Sequence, residues 1–142
     1  MWIIISFIII WCIGFYLHEH CHGLGCLIQD SPYTVEFKWY NKKPSLYMWC
    51  DCRVKHHWIV DYMGGMLCGL ILLLLSVAFQ RLEVYCISAP LFIVGLVNFV
   101  YGIYEGIFIR KLEYDRYMLY HYYLYVIVGL IALGLCLPEV RI

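Results

Sequence analysis

Cysteine and histidine side chains gather at both ends of one polar stretch, residues 18–57. They are His18, His20, Cys21, His22 and Cys26 at its start, and Cys50, Cys52, His56 and His57 at its end. Thiolates and imidazoles are the ligands of tetrahedral zinc, and paired thiols form disulfides in oxidising compartments. The spacings C-x4-C and C-x-C lack the common C-x2-C knuckle. Zinc, disulfides and free side chains with no special role all stay open. The last is favoured, so we predict no metal site.

Three ionisable residues lie within otherwise apolar segments. Asp61 lies near the start of the second segment, Glu105 near the end of the third and His121 near the start of the fourth. Ionisable groups at one depth in adjacent helices pair or relay protons, whereas side chains near helix ends also snorkel to the interface. Snorkelling is the favoured interpretation, and an intramembrane polar cluster of Asp61, Glu105 and His121 is the alternative.

Familiar catalytic motifs give no further site. We recognise no hydrolytic triad, P-loop, dinucleotide fingerprint or metalloprotease motif in the chain. We therefore predict no catalytic residue, no cofactor and no active site of its own, although the chain fits a non-catalytic subunit of an oxidoreductase complex.

The elements that would position these residues are transmembrane helices. The chain has 142 residues, of which 64% are hydrophobic and 14% are charged, whereas soluble domains are about half apolar and a quarter charged. Four apolar segments approach or exceed the length that crosses about 30 Å of hydrocarbon. They are residues 1–17, 58–79, 84–109 and 117–137. We predict an all-α membrane protein, a single domain over residues 1–142 with about four transmembrane helices.

The polar loop 18–57 carries its own pattern and most of the positive charge. Residues 33–40 alternate between apolar and polar, which is typical of a strand, and residues 46–52 can return as a second strand of a β-hairpin. Eight of the ten Lys and Arg residues fall in this loop or in 110–116. The positive-inside rule therefore places both loops on the cytoplasmic or matrix side.

Composition also bears on origin and partners. Ala, Ser, Pro and Thr are scarce, at three, five, four and one residues. Their codons mostly share cytosine at the second base, which indicates a cytosine-poor gene such as an organelle gene, or an AT-rich nuclear or viral one. Acidic and basic residues balance at 10 each, so there is no basic field for nucleic acid.

Two stretches resemble NADH dehydrogenase subunit 6, a membrane subunit of respiratory complex I. They are Tyr62-Met63-Gly64-Gly65-Met66-Leu67 and the aromatic run that opens the fourth segment, residues 119–125. The resemblance implies a helix with a π-bulge at Gly64 and Gly65, beside Tyr62, as a hinge. It implies a structural and coupling subunit for proton translocation in the mitochondrial inner membrane, with lipid and other membrane subunits as partners and no cofactor of its own. That family has five helices, where four are predicted here.

A second resemblance is to claudin-like tetraspans. It rests on the order of elements, a short helix, a hairpin loop and three helices, and on Trp49-Cys50 in the loop. It implies a scaffold or channel auxiliary subunit in the plasma membrane. It also implies a disulfide set among Cys21, Cys26, Cys50 and Cys52 outside the cell. The complex I-like subunit is the favoured hypothesis, because the charge bias places the loop on the inner side.

Overall fold

The computed structural model describes residues 2–39, 46–51 and 54–108. Helices dominate this part of the chain, with one strand pair between the first helix and the second. The elements are α1 (Trp2–Leu27), β1 (Thr34–Trp39), β2 (Leu46–Asp51), α2 (His57–Tyr62), a π-turn (Met63–Leu67), α3 (Cys68–Arg81) and α4 (Tyr85–Phe108). The π-turn joins α2 to α3, so that His57–Arg81 is one continuous helix.

Three helices of the described residues are long and apolar enough to cross a membrane. They are Trp2–Leu27, His57–Arg81 and Tyr85–Ile107, with 26, 25 and 23 residues. At 1.5 Å per residue their lengths are about 35 to 39 Å, more than the roughly 30 Å of a hydrocarbon core. The chain is therefore an integral membrane protein. The fourth predicted segment, 117–137, lies outside the described residues.

Helix α1 is longer than predicted, and the boundary between helix 1–17 and loop 18–57 was wrong. The helix continues for ten more residues to Leu27. The reason is that the polar residues of this part follow the helical repeat and face the protein interior. One buried face runs through Gly14, His18, Cys21, His22, Gly25 and Cys26, and positions three or four apart lie on one side of a helix. The histidine and cysteine cluster at the start of the predicted loop is thus intrahelical.

The strand pair lies in the segment that connects α1 to α2. Strands β1 and β2 run antiparallel, with Thr34 opposite Asp51 and Trp39 opposite Leu46. Hydrogen bonds of one side chain link the two ends of this connecting segment. The Gln29 side chain donates to the Gly25 and His56 carbonyls at 3.0 and 3.2 Å, and accepts from the His56 amide at 2.9 Å. The end of α1 is thereby held beside the start of α2.

Glycine allows the second and third spanning helices to pack with their backbones in contact. A Cβ atom at Gly65 would overlap the backbone of Gly102, and one at Gly69 would lie 2.5 Å from the Phe99 nitrogen. Small residues four apart are the usual means of such close approach in membranes. The short turn between α3 and α4 contains Glu83 with φ 62°. This tight pair fixes α4 against the helix that follows the π-turn, and so fixes the position of Glu105.

Candidate metal site

Three ionisable side chains converge inside the helical bundle. The Nε2 atoms of His18 and His22 are 3.1 Å apart, and Glu105 Oε2 lies 3.4 Å from the first and 3.5 Å from the second. Both histidines are buried, and the Glu105 side chain is 13% exposed. Two imidazole nitrogens and one carboxylate oxygen therefore form a nearly equilateral triangle of donor atoms.

The local fold explains why these three residues meet. His18 and His22 are four apart on α1, so their side chains project from one face about one turn apart. Glu105 lies in the last turn of α4, which packs against the same face of α1. The backbone of Gly64 lies directly against the His22 ring, because a Cβ atom there would overlap it. Glycine at this position leaves the imidazole the space that it occupies.

Hydrogen bonds on the far side of each imidazole define its tautomer. His22 Nδ1 lies 2.7 Å from the Val60 carbonyl, and His18 Nδ1 lies 3.2 Å from Asn98 Oδ1. The Asn98 amide is oriented by its other end, because Nδ2 donates to the Val94 carbonyl at 2.8 Å. Both Nδ1 atoms thus face acceptors and carry the hydrogen. This leaves the Nε2 lone pairs directed at the triangle, as in histidines that bind metals.

Three electron-pair donors that face one another at this distance could hold a metal ion between them. Glu105 Oε2 is buried and accepts no hydrogen bond from the described residues. A tetrahedral zinc ion with bonds of 2.0–2.1 Å has its ligand atoms about 3.3 Å apart. The observed edges of 3.1, 3.4 and 3.5 Å match that spacing. The triangle has the shape of one face of a tetrahedral metal site, and no described residue completes it with a fourth ligand atom.

The sequence around the two histidines also matches a short pattern that occurs in zinc metalloproteases. Residues 18–22 read His-Glu-His-Cys-His, which satisfies H-E-x-x-H. On a helix this spacing places two histidines on a zinc ion and the glutamate beside it as general base. Glu19 is half-buried, and its carboxyl group is close enough to His18, His22 and Glu105 to interact with them electrostatically. The signal was missed because these residues were assigned to a loop, where the spacing has no geometric meaning.

The predicted polar cluster of Asp61, Glu105 and His121 stays a prediction as a set. Among the described residues, the Glu105 carboxylate lies next to His18 and His22. Asp61 is half-buried in α2 and is not among the three ligand-bearing residues of the site. His121 lies outside the described residues. The described partners of Glu105 come from α1, since His18 and His22 each precede it by more than eighty residues in the sequence.

The predicted hinge coincides with the π-turn. Met63–Leu67 contains Gly64 and Gly65, and Tyr62 immediately precedes it. Gly64 packs against His22, Gly65 against the backbone of Gly102, and the Tyr62 ring against Gly106. Because a π-helical turn contains one extra residue, the adjacent Gly64 and Gly65 pack against two different helices, α1 and α4. Motion at this turn stays a prediction.

Among the described residues, no thiol belongs to the group of converging ligand atoms. Cys21 and Cys26 are fully buried in α1 and are not in disulfides, and Cys26 Sγ donates to the His22 carbonyl at 3.4 Å. They are therefore unsuited to a disulfide set in an exposed loop. His56 and His57 are exposed at the start of α2, and the side chains of Cys50 and Cys52 lie outside the described residues. Of the cluster named from sequence, His18 and His22 belong to the triangle of donor atoms.

Comparison with known proteins provides no relative from which function can be transferred. No family model matches the chain, and no curated protein or solved structure matches it either.

Proposed function

We propose that this chain is a membrane-embedded, metal-dependent hydrolase of the zinc metallopeptidase type. The observation that carries the proposal is the triangle of His18, His22 and Glu105, with Glu19 between the two histidines in an H-E-x-x-H motif. Two histidines and one carboxylate with an open fourth position form a ligand set of catalytic zinc. Structural zinc sites, by contrast, are closed by four protein ligands.

Each residue has a distinct part in the proposed hydrolysis. His18, His22 and Glu105 would hold the ion, which when bound would supply Lewis acidity for a water molecule and the substrate carbonyl. Glu19 would take a proton from the water that attacks the carbonyl carbon, and would return it to the leaving amine as the C–N bond breaks. Water supplies the OH and H of the two products, so the reaction needs no redox partner.

The position of the site indicates where its substrates meet it. His22 lies about 8 Å before the end of α1 at Leu27, and all three metal ligands belong to helices long enough to span a membrane. Charged groups within such helices mark functional pathways rather than lipid contact. The proposed substrates are therefore peptide segments that enter the membrane or lie at its surface.

The experiment compares the wild-type chain with Glu19→Gln in the membranes of an expression host. Protein N termini are labelled and identified by mass spectrometry, and metal content is measured on the purified proteins. We expect new N termini with the wild type, and their loss with E19Q at unchanged metal content. Glu83→Gln, in the exposed turn between α3 and α4, is the matched control and keeps the cleavage. Identical N termini for wild type and E19Q would contradict the proposal.

A second candidate function is the structural and coupling subunit of a larger membrane complex. It is favoured by the π-turn, which contains the same Gly64 and Gly65 that the resemblance to NADH dehydrogenase subunit 6 implies as a bulge. In this proposal the chain has four transmembrane helices and the hairpin loop on the inner side. Its partners are other membrane subunits, and its location is the mitochondrial inner membrane. A claudin-like protein of the plasma membrane is the alternative identity.

The second candidate predicts that the chain is unstable without partner subunits. Purification in mild detergent followed by size-exclusion chromatography tests this directly. A monodisperse, folded single chain would contradict the subunit hypothesis, whereas co-purification of further membrane proteins in fixed ratio would support it.

A further inference from the structure

Asn98 is a polar side chain buried near the centre of the spanning helix α4. It is 1% exposed and lies in α4, whose neighbouring turns are formed by apolar residues. An amide buried without hydrogen bonds carries a large desolvation penalty. Such a residue in a membrane helix therefore has to satisfy both ends of its side chain, and its partners indicate its role.

Both ends of the Asn98 amide form hydrogen bonds, one within its own helix and one to α1. Nδ2 donates to the Val94 carbonyl one turn earlier on the same helix, at 2.8 Å. This bond anchors the amide to its own helix and directs Oδ1 outward. Oδ1 then accepts from His18 Nδ1 on α1 at 3.2 Å. The amide thus connects the backbone of α4 to one of the two metal-facing imidazoles.

The two histidines of the site differ in how they are held. The Nδ1 atom of His22 is bonded to a backbone carbonyl, that of Val60, which no substitution removes. His18 is bonded to a side chain. The Asn98 amide oxygen supplies the acceptor that His18 needs, so the orientation of the His18 ring depends on this one side chain.

We propose that Asn98 is a positioning residue for the metal site, and this inference rests on the proposed function. By accepting from Nδ1 of His18 it fixes the tautomer and the ring orientation, so that the Nε2 lone pair points at the ion. Asn98 makes no contact with the ion itself. Partners of this kind typically change metal affinity 10- to 100-fold when they are removed.

The test is zinc affinity of the purified full chain in detergent, measured by competition with a fluorescent chelator. Asn98→Leu retains the size of the side chain but loses the acceptor, and we expect its affinity to fall about 10- to 100-fold. Asn98→Asp restores an acceptor at the same reach, and we expect it to recover affinity to within about threefold of wild type, which a merely structural role does not explain. Cobalt absorption reports the ligand geometry of each variant.

Ser76→Ala is the matched control. It removes another buried hydrogen bond between spanning helices, Ser76 Oγ to the Ser88 carbonyl at 2.8 Å, at a distance from the histidines. We expect it to lower thermal stability and to leave zinc affinity unchanged. If N98L does not fold, Asn98→Ser replaces it, because its hydroxyl is too short to reach His18.

The outcomes separate this inference from the proposed function. Wild type that binds zinc, with N98L or N98S equal to it in affinity, overturns the role of Asn98 and leaves the metal site intact. Loss of affinity that Asp does not rescue also overturns it. Wild type that binds no zinc overturns the metal site itself, and the inference falls with it.

Discussion

Replacing Glu105 by aspartate tests whether the third ligand needs the length of the glutamate side chain or only its negative charge. Glu105→Asp keeps the carboxylate but withdraws it by one C–C bond, about 1.5 Å. The Oε2 atom now lies 3.4 and 3.5 Å from the two imidazole nitrogens, the spacing of a bound ion with bonds of about 2.0–2.1 Å. After the substitution the oxygen would stand roughly 3.5 Å from that ion, beyond bonding distance. The donor triangle would lose one corner.

We expect the zinc affinity to fall at least as much as it does when a hydrogen-bond partner of a metal ligand is removed. Such changes weaken binding 10- to 100-fold, so for a direct ligand we expect about 100-fold or more, equal to about 2.8 kcal/mol. Glu105→Gln keeps the length of the side chain and removes its charge, and we expect its zinc affinity to fall by a comparable amount. Both variants remove a ligand, one by distance and the other by charge.

Zinc competition titration on the purified chain measures both variants, with thermal unfolding as a check that they fold. Glu83→Asp, on the exposed α3–α4 turn, is the control and is expected to bind as wild type. If E105D binds zinc within threefold of wild type, Glu105 is not a ligand at this reach. The carboxylate would then serve only to neutralise the histidines.

Two further predictions follow from the surroundings of the site. Gly64→Ala places a methyl group where the His22 imidazole lies, so zinc affinity is expected to fall at least 10-fold. Gly69→Ala, which crowds Phe99 instead, is expected to lower the unfolding temperature and spare zinc affinity, and equal effects of the two on zinc would contradict the packing argument. Replacing both Cys21 and Cys26 by alanine is expected to leave zinc affinity within twofold, because neither thiol belongs to the group of converging ligand atoms. A large loss in that titration would return the cysteines to the ligand set.

Much of the membrane architecture was predictable from hydrophobic length alone. The second and third segments, predicted at 58–79 and 84–109, correspond to His57–Arg81 and Tyr85–Phe108. These segments are apolar on all sides, so a simple length criterion finds them. The end of α1 is different, because its last turns carry histidines and cysteines on a buried face. There the helical repeat, rather than hydropathy, was the informative signal.

Only part of the site could be predicted from the sequence. His18, Glu19 and His22 carry a motif that is visible once α1 is extended, and Glu105 stood out as an ionisable residue in an apolar segment. That Glu105 closes the triangle depends on tertiary packing of α4 against α1, which local pattern does not encode. The role of Asn98 depends on the same packing. Its amide appears in sequence as one polar residue among apolar neighbours, with no indication of its partner.

X-ray absorption at the zinc edge of the purified, zinc-loaded chain would show whether His18, His22 and Glu105 bind a metal ion. We expect nitrogen and oxygen neighbours at about 2.0–2.1 Å from zinc, with the multiple-scattering signature of two imidazoles and no sulfur. That signal should disappear in the double variant His18→Ala/His22→Ala. A sulfur shell at about 2.3 Å, or a purified chain that takes up no zinc, would contradict it.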